Sequence, residues 1–296
     1  MKTIFLIILL LGMTACTIPP AASTMPTPLA TPSNPWLGQT LPGVTPITFG
    51  AGFLPNNFHS SLTFTPDGTK VYWAGSYSEA KVYTSRLENG IWTEPATVRF
   101  SGSMGSYRDP FISPDGQRLY FISKDPLPGS STSDKENIWV MEKEGDGWGE
   151  PQPLPSSVNA HELHWTISVA NNYNLYFAGG PEGGIGDIYL SRYIDGEYTD
   201  AELLGGPVNS VELEITPNIA PDESYLLFTR LANTSATPYL YISYAVENGW
   251  SEPQKIENVL YCISPIVTPD RMFVIYLSSP LSLEWRNTSF IDELRP

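Results

Sequence analysis

The sequence predicts an all-β protein, a five-bladed β-propeller of four-stranded antiparallel blades, and three observations predict it. A strand–turn–strand phrase recurs: "FTPDGTKVYWAG" at 64–75, "ISPDGQRLYFIS" at 112–123, "IAPDESYLLFTR" at 219–230 and "VTPDRMFVIYLS" at 267–278, with a degenerate copy, "ISVANNYNLYFAGG", at 167–180. The period is about fifty residues, which marks a repeat array. Each phrase is followed by a third strand, and all but the last by a fourth segment with an aromatic residue at one register. Finally, 24 Gly and 28 Pro among 296 residues suit a turn-rich all-β chain better than a helical one.

Each element has a local reason. In the Pro-Asp turns, Pro presets φ, Asp bonds its own backbone and Gly accepts positive φ. Asp67, Asp115, Asp222 and Asp270 are therefore turn formers rather than catalytic groups. The runs that follow, 70–73 and 118–122, are aromatic and aliphatic enough for buried strands. Third strands are read in "KVYTSRL" (81–87), "NIWVMEK" (137–143), "DIYLSRY" (187–193) and "YLYISYA" (239–245). Fourth segments are read in "GIWTEPATV" (90–98), "DGWGEPQPL" (146–154), "GEYTDAELL" (196–204) and "NGWSEPQKI" (248–256). The aromatic residues recurring there, Trp92, Trp148, Tyr198 and Trp250, are expected to pack between blades.

Five units begin near His59, Tyr107, Glu162, Glu214 and Cys262. The fifth stops after "LEWRNTSF" (283–290), one strand short. "GVTPITFGAG" (43–52) precedes the first unit as "WTEPATVRFSG" precedes the second, so the N-terminal strand is expected to complete the last blade and remove two open edges. Six blades are the alternative count.

The repeated Pro-Asp-Gly turn followed by Leu/Val-Tyr-Phe/Trp resembles the PD40 (WD40-like) repeat, known from TolB-like periplasmic propellers. The resemblance covers about residues 45–296, with the third copy lacking Pro-Asp-Gly and Arg271 standing where Gly would be in the last. It implies a propeller and, in the manner of TolB-like proteins, a binding or scaffold role. It does not imply an activity, because propellers host many functions.

The chain opens with an export signal: a short positive start, an apolar run from Ile4 to Leu11 too short to span a bilayer, and small residues before Cys16. Residues 13–16, "MTAC", resemble the bacterial lipobox, which implies lipidation of Cys16. The expected organisation is a signal peptide at 1–15, a lipid-anchored Pro/Thr/Ser-rich tether at 16–42 and the propeller at 43–296. The expected location is the bacterial cell envelope, exported and held to a membrane by lipid. With Cys16 so used, Cys262 has no partner and reads as a small buried hydrophobe. The net charge of −15 argues against nucleic acid and anionic lipid as partners.

Ligands commonly meet a propeller where its innermost strands begin. Counting back from the turns places His59, Tyr107, Glu162, Glu214 and Cys262 at one position, and Ser61, Asp109, His164, Thr216 and Ser264 two residues later, on one face by strand alternation. Arg108, Trp165, Lys124 and Arg230 stand nearby. This set of His59, Tyr107, Arg108, Asp109, Glu162, His164, Trp165, Glu214 and Arg230 suits a polar ligand such as a sugar, bonded by carboxylates and stacked on Tyr107 or Trp165. The expected function is non-catalytic binding or scaffolding of a cell-envelope protein or glycan by a monomer. The alternative is a glycoside hydrolase drawing an acid and a base or nucleophile from Asp109, Glu162 and Glu214. Metal-assisted hydrolysis fits poorly, since "HELH" at 161–164 is one residue short of the zinc motif. No cofactor motif is present, neither a Walker loop nor a dinucleotide fingerprint.

Overall fold

From the axis outward, the first blade runs Leu62–Phe64, Lys70–Ala74 and Val82–Glu88, and the second Arg108–Ile112, Arg118–Ser123 and Asn137–Glu144. The third runs Leu163–Val169, Leu175–Gly180 and Asp187–Ser191, and the fourth Leu213–Ile219, Tyr225–Leu231 and Tyr239–Val246. The fifth runs Ile263–Val267, Phe273–Ser279 and Ser282–Asn287. This is a computed structural model that describes residues 36, 39–51, 53–54, 62–76, 78–98, 100, 104–131, 135–161, 163–180, 186–279 and 282–296. The fold is the five-bladed propeller expected, with Ile47–Phe49 as the outer strand of the fifth blade and Ile47 opposite Trp285.

The outer edge departs from one continuous fourth strand. Ile91–Trp92 folds back on the end of the third strand, and Ala96–Thr97 pairs further along it. Ser85 Oγ donates to the Thr93 carbonyl at 2.6 Å in the step between. The same step is made by Ser191 to Thr199 at 2.7 Å and Ser243 to Ser251 at 2.6 Å. Pro95 and Pro253 follow it in the first and fourth blades, and Pro151 stands at the same place in the second; lacking an N–H, proline is tolerated on an edge and interrupts pairing there.

Five apolar clusters fill the five seams between blades. Strand alternation divides each blade between two of them: Leu119 and Phe121 face the first blade, whereas Tyr120 and Ile122 face the third. The outer aromatic residues pack back on the preceding blade, Trp148 on Tyr72, Tyr198 on Tyr120 and Trp250 on Tyr176. Inner strands are also stitched across seams by polar side chains at one register. Ile112 N–H donates to Thr63 Oγ1 at 2.9 Å, Ile219 N–H to Ser168 Oγ at 2.9 Å and Val267 N–H to Asn218 Oδ1 at 3.2 Å.

The turn aspartates act as expected: Asp67, Asp115, Asp222 and Asp270 accept from Thr65, Ser113, Ser224 and Thr268 at 2.6–2.7 Å. Where the repeat loses glycine, the replacement keeps positive φ: Tyr173 at 65°, Glu223 at 58° and Arg271 at 61°. Each reaches back to the blade before it. Tyr173 donates to Asp115, Glu223 accepts from Asn172, Asn174 and Tyr176, and Arg271 pairs with Asp222 at 3.6 Å.

At the ring's closure, Trp36 is buried against Phe64 and Phe273 in the seam between the fifth and first blades. At the other terminus, a short helix, Phe290–Glu293, buries Phe290 and Ile291 beside the fourth blade. No helix among the described residues is long and apolar enough to cross a membrane. Cys16 and the signal segment lie outside the described residues.

Candidate functional site

The inner strands begin on one face of the ring, here the entry face, and those of the second to fifth blades each start with a bulge. Asp109, Thr166, Thr216 and Ser264 have φ of 46°, 48°, 52° and 52°, and the ladder to the second strand skips there. Pro110, Pro217 and Pro265 follow three of them, supplying a residue that cannot donate to the ladder. This left-handed step resets the alternation, so the two predicted rings do not share a face.

Asp109, Thr166, Thr216 and Ser264 line the central channel together with Leu62, Phe111 and Asn218. The residues two positions earlier turn into the seams instead. Tyr107 packs on Phe100 and Phe121 at 4.5 and 4.9 Å between ring centres, and burial pushes its phenol pKa up. Cys262 is fully buried between the fourth and fifth blades, as expected of a hydrophobe.

The third blade corrects the predicted register. Thr166, not His164, occupies the channel position, and His164 falls with Tyr107, Glu214 and Cys262 in a seam. Its Nδ1 lies 2.9 Å from the Glu136 carbonyl, which makes Nδ1–H the donor, and the ring is wholly buried. Burial, helped by the neighbouring His161, holds its pKa down to about 4, so the imidazole is neutral.

Glu214 and Arg230 are brought together. Arg230 Nε lies 2.7 Å from Glu214 Oε1, and the Ser210 hydroxyl and N–H donate to the same carboxylate at 2.6 and 3.0 Å. The guanidinium also donates to Val208 O at 2.9 Å and lies over Phe228 and Tyr241. Burial raises the Glu214 pKa, while Ser210 and Arg230 pull it back down. With no exposed surface, this carboxylate cannot touch a substrate.

Arg108 and Asp109 are both buried at the start of the second blade. Lys124 lies 4.0 Å from the buried Glu136. Trp165 is half-buried and lies against Gly186. His59, Ser61 and Glu162 lie outside the described residues, and no metal-holding cluster is found among the described ones. The channel cavity measures about 30 Å³, room for a water or two and far below the 300 Å³ or more of a typical small-molecule pocket.

No protein-family model matches the sequence, and no curated protein matches it. Solved structures do. The structure of "putative TolB" from Agrobacterium tumefaciens superimposes with a TM-score of 0.52 at 18% identity, over 73% of this chain and 68% of that one. A protein of unknown function from Dyadobacter fermentans gives 0.51 at 13% identity, over 84% of each chain. TolB from Acinetobacter baumannii gives 0.48 at 13% identity over 77% of this chain, which spans 54% of that protein's length. At such identities the likeness to the first two is one of fold, and the chain itself is built as a five-bladed β-propeller.

Proposed function

We propose that this chain is an exported, lipid-anchored, PD40-type propeller that binds a cell-envelope protein or glycan on its entry face and performs no catalysis. Residues 1–15 direct export, Cys16 carries the lipid, and the Pro-rich segment behind it spaces the propeller from the membrane. The observation that carries this reading is how the predicted polar ring is spent. Glu214 is shared between Arg230 and Ser210, His164 is pinned to Glu136, and the channel between the blades holds about 30 Å³. A pocket able to enclose a sugar ring is an order of magnitude larger. Recognition therefore falls to the rim, where the half-buried Tyr107 and Trp165 and the exposed connector residue Val211 stand.

Photo-cross-linking in living bacterial cells tests this. A photoreactive residue at Trp165 or Val211 on the entry face should trap a discrete partner. The same residue at Ile91 or Met272, both exposed on the opposite face, should not. Adducts from the opposite face alone, or from neither face, overturn the assignment. Incorporation of labelled palmitate that is lost in Cys16→Ala tests the anchor separately.

A further inference from the structure

The third and fourth blades carry the same aromatic corner on the entry face, filled in two different ways. In the fourth, Phe228 and Tyr241 stack with ring centres 6.0 Å apart, and Arg230 lies over both, 5.0 Å from Tyr241. In the third, Phe177 and Tyr189 stack in the same register at 5.6 Å. The pairing Glu214–Arg230–Tyr239 of the fourth blade corresponds to His164–Gly179–Asp187 in the third. The arginine of one blade is thus a glycine in the other.

Besides His164 in the place of Glu214, two further substitutions accompany that loss. Tyr239 is replaced by Asp187, whose carboxyl is pushed up by burial and makes no hydrogen bond or ion pair with the described residues. The vacated place over the rings is covered by His161, 4.0 Å from Tyr189 and 6.1 Å from Phe177 between ring centres. His161 comes from the connector into the third blade, and its counterpart in the connector into the fourth is Val211. Val211 is 92% exposed, so the same connector holds that residue turned outward when an arginine fills the corner.

We propose that this corner of the third blade receives an arginine side chain from the partner protein, with Tyr189 and Phe177 as its aromatic wall, Asp187 as its counter-charge and His161 as a cover that swings outward. Arg230 shows how a guanidinium sits on such a wall: over the rings, paired with a carboxylate, the geometry in which cation–π attraction and a salt bridge add. The net charge of −15 favours encounter with a cationic partner. This inference rests on the binding reading above and supplies the chemistry of the partner.

The test is an NMR titration of the full-length chain, labelled at its three histidines, with Nα-acetylarginine N-methylamide and its uncharged citrulline analogue. The arginine compound should shift the His161 resonances saturably, or those of the neighbouring His164 where His161 is replaced, and the citrulline one should not. Asp187→Asn should weaken binding about two- to fivefold, and His161→Ala, which removes the cover, should tighten it. Gly179→Arg should abolish binding by filling the corner from within, at some cost in melting temperature because its Cβ meets the Leu163 carbonyl and Phe177 at 3.3 Å. Binding seen in His161→Ala alone also supports the site, with His161 closing it. No saturable shift in either wild type or His161→Ala overturns the proposal, and so does an equal response to citrulline. Should the arginine compound fail while cross-links from Trp165 and Val211 persist, the arginine receptor falls and the binding face stands. Loss of both removes the binding reading as well.

Discussion

Arg230 Nε lies 2.7 Å from Glu214 Oε1 across neighbouring strands of the fourth blade, and the Glu214 side chain has no solvent exposure while that of Arg230 retains 13%. Such a pair gains stability over apolar replacements only weakly, but breaking it strands a buried charge. Arg230→Met is expected to cost roughly 3–5 kcal/mol, read from urea denaturation midpoints. Adding Glu214→Leu to Arg230→Met should recover most of that loss. A single substitution as mild as a surface one would show that water reaches the carboxylate and that the seam is open there.

His164 gives a pH dependence with a definite sign. Its pKa in the fold is held at about 4 by burial, from an ordinary 6.5. Between these values the unfolded chain binds the proton and the native chain does not, so stability falls as pH drops from about 6.5 towards 4. The loss amounts to about 3 kcal/mol across that window. Glu214, with its carboxyl pushed up, contributes with the opposite sign and must be separated out. His164→Phe isolates the effect: the difference between wild-type and variant stability curves should slope through that window. A flat difference would mean that the ring takes up its proton in the fold as readily as in the unfolded chain.

The ring architecture was legible because its determinants are local and repeated. Pro-Asp turns recur at a fixed period, and the Trp92, Trp148, Tyr198 and Trp250 register marks each outer edge. Closure was legible for the same reason, since the 43–52 segment copies what precedes the second unit. The site was less so. In the third copy the turn has neither Pro nor Asp to count from, and Ala170 N–H bonds Asn174 O where Ala220 N–H bonds Tyr225 O, a turn one residue shorter. Counting back from it misplaced His164. The bulge at Asp109, Thr216 and Ser264 did leave a signal, the prolines that follow each at one register, which an alternating strand would not carry. The arginine-for-glycine exchange between Arg230 and Gly179 shows only once strand register is fixed, because the residues that surround it come from three strands and a connector.

The left-handed turn residues predict opposite outcomes for one kind of substitution. Arg271, at φ 61°, is held by an exposed ion pair of 3.6 Å with Asp222, a contact worth little in water. Non-glycine residues lose roughly 1 kcal/mol in this region, so Arg271→Gly should leave stability unchanged or raise it by up to about 1 kcal/mol. Tyr173, at φ 65°, instead stacks 4.2 Å from the Arg118 guanidinium and donates to Asp115. Tyr173→Gly should therefore destabilise by about 2 kcal/mol or more, since the lost contacts outweigh the backbone relief. Thermal unfolding of the two variants side by side decides it; equal shifts of one sign would refute the idea that these residues clasp neighbouring blades.

Trp36 sets where the folded ring begins. It stands within the segment expected to be a tether, yet it is 5% exposed and packs edge-on against Phe64 at 5.4 Å and Phe273 at 6.2 Å. Those two rings belong to the first and last blades, so Trp36 bridges the seam that the Ile47–Phe49 strand closes. Close by, Gly50 N–H donates to Gln39 Oε1 at 3.1 Å, fixing the path from Trp36 to the closing strand. Trp36→Ala should cost about 3–5 kcal/mol, as for other buried aromatics cut back to alanine, and Gln39→Ala about 1 kcal/mol. Val211→Ser, at a side chain almost fully in water, supplies the comparison and should change stability by no more than about 0.5 kcal/mol. If Trp36→Ala proves as silent as Val211→Ser in urea unfolding, the residues before 43 are a spacer and the Ile47–Phe49 strand alone closes the ring. A large loss makes Trp36 the clasp of the first and last blades.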